Sequence, residues 1–164
     1  GELDGTITDR VKAIGSAFEE AGMHCIVSDN IMGVIWDKLL VNVATGAVCG
    51  ITHLPYGDMY QEDKLVATAV AAVQEGMDVA AKAGVKLTYS DPMDVLELAR
   101  AGLPYDFKPS ILQSLEKHRP TEVGVINGAV VAQGAKHGVA TPVNETLVAC
   151  VTGIERYIRE YINK

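Results

Sequence analysis

From residue 31 to 50 the chain reads IMGVIWDKLLVNVATGAVCG, apolar on nearly every side of a 3.6-residue helix. Such a helix belongs at the centre of a core, because a surface helix carries a polar face. Its polar exceptions Lys38, Asn42 and Thr45 recur at i, i+4 and i+7 and so share one stripe, with Gly46 leaving room beside it. An unpaired buried ammonium costs several kcal/mol. Lys38 therefore either escapes to the surface along its aliphatic stem or lines a polar cavity. Asn42 favours the cavity, since a second polar group on a buried face also needs a partner. Thr45 can be satisfied locally, by bonding back to the carbonyl of Val41.

The same periodicity places the other elements. Residues 8–21 carry Val11, Ile14, Phe18 and Ala21 at helical spacing, and Gly22 ends the run. HCIVS, residues 24–28, is the one strand-like stretch, and Ser28 or Asp29 can cap the helix that follows. Pro55 and Gly57 mark residues 52–57 as a turn. A long helix over 61–82 gathers Leu65, Ala69, Ala72, Val73, Gly76, Met77 and Ala80 on a face of small residues suited to close packing. Shorter helices follow over 90–100 and 110–118. Thr121 is expected to cap a helix reaching His137, and Thr141-Pro142 to open a last one with Val143, Leu147, Val151, Ile154 and Ile158 inward. The pattern predicts a mainly α chain of about seven helices and one short N-terminal strand, forming a single helical domain.

Composition narrows the partners. A net charge of −7 argues against nucleic acid or an anionic membrane surface. Asp37, Lys38 and Asn42 interrupt the one stretch that could span a bilayer. Three scattered cysteines fit neither a disulfide framework nor a zinc motif, and the four histidines lack ligand spacing, so no metal site and a reducing, cytoplasmic setting are expected. Neither a GxGxxG fingerprint nor a P-loop occurs. The chain starts GELDG without an initiator methionine, as expected of a piece of something longer.

A second stretch invites chemistry. Ser110 and Glu122 are both placed at expected helix N-termini, where free N–H groups favour a carboxylate, and Lys108, Lys117 and Arg119 make the neighbourhood basic. The plain alternative is that Ser110 and Thr121 are ordinary caps and Glu122 a first-turn acid.

Taken together, WDKLLVN (36–42), KPSILQ (108–113), TEVGVING (121–128) and GVATPVN (138–144) resemble, in that order, the C-terminal half of ketopantoate reductase, or 2-dehydropantoate 2-reductase. The resemblance spans essentially the whole chain and implies a helical domain like the C-terminal domain of 6-phosphogluconate dehydrogenase. It implies NADPH-dependent reduction of 2-dehydropantoate to pantoate, on the way to pantothenate and coenzyme A. By the same resemblance Lys38 is the general acid, Asn42 and Ser110 bind substrate, and Glu122 stands near the lysine and the nicotinamide end of NADPH, with both catalytic and cofactor-binding roles. Chemistry agrees, because a cation beside a carbonyl stabilises the developing alkoxide and can pass it a proton.

The sequence also departs from the family. Gly46 and Phe107 stand where some members carry asparagine or another polar residue, and Ser114 and Gly124 where aspartate is common; these bear on which 2-keto acid is bound. The family's N-terminal Rossmann domain, the main NADPH site, has no counterpart here. Residues 1–28 are then a remnant of or connector to that domain, and 29–164 the substrate-binding, catalytic domain. The expected partners are a small 2-keto acid and that Rossmann domain; the apolar faces left bare also allow a homodimer. Two other readings remain: a reductase of another 2-keto acid, and a helical dimerisation domain without catalysis.

Overall fold

Helix α2 (Ile31–Thr52) runs through the middle of the molecule, with the other helices of the body arranged around it. The computed structural model describes residues 1–163. Among these, the order is α1 (Asp9–Glu20), α2, α3 (Tyr56–Met59), α4 (Asp63–Lys82), α5 (Pro92–Arg100), α6 (Ser110–Glu116), α7 (Asn127–His137) and α8 (Pro142–Tyr157). A 3-10 turn, Val123–Val125, precedes α7, and a π turn, Ile158–Ile162, prolongs α8. The mainly helical architecture expected from periodicity is the one observed.

Helix α2 is long and apolar enough to cross a membrane by length and composition. Its inner half is instead sheathed by α4, α5, α6 and α8. Leu40, Val43, Ala44, Ala47 and Cys49 are fully buried on several sides of it, which is why no polar face is needed. Small residues set the distances. A Cβ added at Gly50 would meet Ile111 Cγ2 at 2.7 Å, so α6 packs directly on the α2 backbone. The small-residue face of α4 is buried as its spacing requires, from Ala69 through Ala80, with Leu65 half-buried.

A buried polar junction joins α4, α7 and α8. Glu75 accepts from the amides of Val143 and Asn144 at 2.8 and 2.9 Å, holding the start of α8. The Asn144 side chain donates to Ala72 O and to Glu75, and its oxygen accepts from Asn127 Nδ2 at 3.0 Å. These groups pair because burial without partners would cost about 1–3 kcal/mol each.

Four expectations change. Residues 24–28 form no strand: no strand lies among the described residues, and a ladder needs a neighbour. Neither Ser28 nor Asp29 caps α2; the N-cap is Asn30, whose amide donates instead to Lys86 O at 2.8 Å. The expected turn at 52–57 runs into the single helical turn α3. The helix expected from Thr121 to His137 breaks at Ile126 (φ −103, ψ −90), and Thr121 Oγ1 accepts only from Val123 N of the 3-10 turn. That break puts Ile126, 8% exposed, into the core.

In α1 the apolar spacing is correct but only partly covered. Val11 is buried, while Ile14, Phe18 and Met23 are about half exposed and Ile26 is 76% exposed. The amphipathic face finds too little of its own chain to cover it.

Candidate functional site

Lys38, Asn42 and Ser110 line one cavity of about 240 Å³. The first two come from successive turns of α2, as their spacing of four requires. Ser110 is the first residue of α6, brought over α2 by the Gly46 and Gly50 contacts with Ile111. Lys38 is exposed, Asn42 half-buried and Thr45 1% exposed, so the stripe descends from solvent into the core. The two readings of Lys38 are thus compatible: it reaches solvent at the cavity mouth. No hydrogen bond or ion pair engages the side chains of Lys38, Asn42 or Ser110 among the described residues. Three polar groups therefore converge with their capacity unspent, which is what a ligand site offers.

Glu122 lies elsewhere. It is exposed at the start of the 3-10 turn rather than at an α-helix N-terminus, makes no ion pair with Lys38 and is not among the residues lining the cavity. Its segment reaches the site through Ile126, four residues on, which does line it. The basic neighbourhood also shrinks: Lys108 is taken by Glu116 at 2.6 Å.

The deep end of the cavity holds a pair that sequence reasoning missed. Thr45 Oγ1 and the Tyr56 hydroxyl lie 2.7 Å apart, so Thr45 does not bond back to Val41. Tyr56 is fixed edge-on against Phe107, with ring centroids 4.9 Å apart, and its amide donates to Phe107 O at 3.0 Å. Burial pushes the Tyr56 phenol above its ordinary range, partly offset by the Thr45 bond, so it keeps its proton near neutrality. The only sequence trace of this residue is an aromatic set between Pro55 and Gly57. Val41, Leu103, Phe107 and Ile126 make the remaining wall largely apolar.

A neighbouring open cavity of about 390 Å³ shares Tyr56 and Leu103. Its Arg100 sits 5.1 Å from the Tyr60 ring centroid and is paired with Glu97, so its charge is already answered. No cluster of His, Cys, Asp or Glu suited to a metal ion occurs among the described residues.

Comparison with known proteins places this chain in a family. Residues 30–155 match the family model described as ketopantoate reductase PanE/ApbA C terminal. The 2-dehydropantoate 2-reductase of Archaeoglobus fulgidus is 31% identical over 155 residues, covering 94% of this chain and 51% of that protein. That of Halobacterium salinarum is 31% identical over 158 residues, covering 95% and 51%. The chain thus spans about half the length of these relatives. Among solved structures, 2-dehydropantoate 2-reductase from Methylococcus capsulatus superposes with a TM-score of 0.84 at 28% identity, over 99% of this chain and 55% of that one. A D-mandelate dehydrogenase solved with NADH and anilino(oxo)acetate gives 0.81 at 28% identity, over 92% and 49%. With most of its length matched by that model and its site built on the matched segments, the chain belongs to the ketopantoate reductase C-terminal-domain family.

Proposed function

We propose that this chain is the substrate-binding and catalytic half of an NADPH-dependent reductase converting 2-dehydropantoate to pantoate. The observation that carries the reading is the convergence of Lys38, Asn42 and Ser110, all unpartnered, on one cavity. Asn42 and Ser110 donate to the carboxylate end of the keto acid and fix its orientation. Lys38 Nζ donates a hydrogen bond to the ketone oxygen and transfers that proton as negative charge develops there. Being exposed, Lys38 then regains a proton from solvent.

Only one end of the cofactor suits this chain's residues. Val34 and Ile35, each 49% exposed, lie one turn before Lys38, and Val125 is 71% exposed beside Ile126. These exposed apolar side chains, on the two segments that also supply Lys38 and Ile126 to the cavity, are the ones we assign to the edge of a ring, with Glu122 on the same segment as Val125. No glycine-rich phosphate loop is present, so the phosphates are held by the Rossmann domain, across the interface that residues 1–28 help to form. When bound, the reduced nicotinamide supplies the hydride that the ketone carbon receives.

The test is Lys38→Ala in the full product of the native reading frame. Reduction of 2-dehydropantoate should fall by a factor on the order of 10² to 10⁴ in kcat. An unchanged kcat with an altered association state would sink the reading and support an assembly domain. Residues 1–164 alone should oxidise no NADPH at an appreciable rate. A second reading, reduction of another 2-keto acid, is favoured by the apolar wall around Phe107 and Leu103 and by the likeness to the D-mandelate dehydrogenase. A panel of 2-keto acids separates the two.

A further inference from the structure

The cavity that holds Lys38 has one wall that the core does not fix. Residues 101–109 join α5 to α6 and supply Leu103 and Phe107 to that cavity. Phe107 packs against the core, but Leu103 is 40% exposed, so the loop backbone sets its place. Leu103 and Tyr56 also line the neighbouring open cavity of about 390 Å³ and therefore form the partition between the two. Tyr56 is buried and held at both its hydroxyl and its ring. Leu103 is the half of the partition that can move.

The loop is fastened from outside. Two amides left free at the start of α3 donate to it, Tyr56 N to Phe107 O at 3.0 Å and Gly57 N to Tyr105 O at 2.7 Å. The Tyr105 side chain completes the attachment. Its hydroxyl donates to Asp58 Oδ1 at 2.7 Å and accepts from Gln61 Nε2 at 2.6 Å. Its ring lies on the bare backbone of Gly57, where an added Cβ would overlap the ring carbons. Among the described residues, no other hydrogen bond ties residues 101–107 to anything beyond α5 and the loop itself. Tyr105 is 57% exposed and does not line the Lys38 cavity, so neither core burial nor contact with a substrate there accounts for a ring held this closely. What it holds is the turn from Pro104 to Phe107, closed by Phe107 N donating to Pro104 O at 3.1 Å, with Leu103 immediately before it.

Resting on the functional reading above, we infer that Tyr105, clasped to Gly57, Asp58 and Gln61, is a positioning residue that holds Leu103 against the cavity and so limits the size of the 2-keto acid side chain admitted. With the clasp in place, the space beside Lys38 ends at Leu103. With the clasp gone, Leu103 retreats and a bulky side chain extends into the neighbouring cavity. Lys38 and Asn42 belong to α2, and Ser110 to α6, which is anchored by buried Ile111, so the groups that handle the keto acid stay in place. An apolar wall discriminates by about 10- to 200-fold for a misfit of a single methylene, which makes a shift in size preference readable.

The experiment measures kcat/KM for phenylglyoxylate and for 3-methyl-2-oxobutanoate, using NADPH and the full product of the native reading frame. Tyr105→Ala, at an exposed position, should raise the ratio of the aryl to the aliphatic acid by about tenfold or more. Gly57→Ala, which lifts the ring but keeps its hydroxyl, should move the ratio in the same direction. Asp58→Asn keeps the accepting Oδ1 and should leave the ratio where it was. In a Leu103→Ala background the wall is already absent, so Tyr105→Ala should then change the ratio by less than about twofold. An unchanged ratio in Tyr105→Ala, an equal loss for both acids, or the same shift in the Leu103→Ala background would each overturn the inference and leave the Lys38 reading standing. An unsubstituted enzyme that reduces neither these acids nor 2-dehydropantoate would overturn both.

Discussion

Asn144 is the residue whose loss the structure prices most directly. Asn144→Leu keeps a side chain of similar volume and removes three hydrogen bonds: from Asn127 Nδ2 at 3.0 Å, to Ala72 O at 2.9 Å and to Glu75 Oε2 at 2.7 Å. Ala72 O keeps its place in the α4 ladder, and Glu75 keeps two backbone amides, so those two losses carry only their net value of about 1 and 2 kcal/mol. Asn127 fares worse. It is fully buried, its Oδ1 has no partner, and its Nδ2 would now be orphaned at a further cost of about 1–3 kcal/mol. Extra apolar burial by leucine returns about 1–2 kcal/mol. The expected net loss is about 3 kcal/mol, read by urea unfolding followed by far-UV circular dichroism. For a chain of this size it corresponds to a Tm lower by about 6–12 °C. The companion variant Asn127→Leu with Asn144→Leu removes both partners of one bond and should be less destabilised than the sum of the singles, by about 1–2 kcal/mol. A cost below about 1 kcal/mol for Asn144→Leu, or strict additivity in the pair, would refute the argument that this junction is held by polar pairing.

Other expectations follow from the same contacts. Gly50→Ala should destabilise by about 1–3 kcal/mol in the same unfolding assay, because its Cβ would meet Ile111 Cγ2 at 2.7 Å and α6 would have to shift, carrying Ser110 with it. Burial pushes the Cys49 thiol from 9.0 up to about 12, so in the folded state it should resist alkylation at pH 8 while exposed Cys150 reacts; equal labelling of both would contradict the packing. The sign for stability follows: between pH 9 and 12 the unfolded chain has lost this proton while the folded chain keeps it, so this contribution is complete below pH 9 and disappears as pH rises toward 12. With Ile14, Phe18, Met23 and Ile26 exposed together, the isolated chain should self-associate as concentration rises; a clean monomer throughout in sedimentation velocity would count against that.

Much of the fold was legible because helical amphipathicity is a local code. The inward faces of α4 and α8, the buried character of α2 and the polar stripe on it follow from spacing alone, since side chains three and four apart share a face whatever surrounds them. The stripe also put Lys38 and Asn42 on one side of the helix, and both line the same cavity. Two local predictions failed for non-local reasons. Residues 24–28 have strand composition but no strand to pair with among the described residues, and the run after Thr121 has helical composition but breaks where Ile126 enters the core.

What the sequence determined by itself is therefore the long helices, the family and the polar stripe of Lys38, Asn42 and Thr45 on α2. Tertiary structure alone decided which of these meet. It brought Ser110 over Asn42, left Glu122 outside the cavity lining, and set Tyr56 against Thr45 from beyond the end of α2. The physical reason is that helix faces are written in periodicity, whereas the contents of a cavity depend on how helices cross. Those crossings are fixed by small groups such as the bare backbone of Gly50 beneath Ile111, which periodicity cannot read.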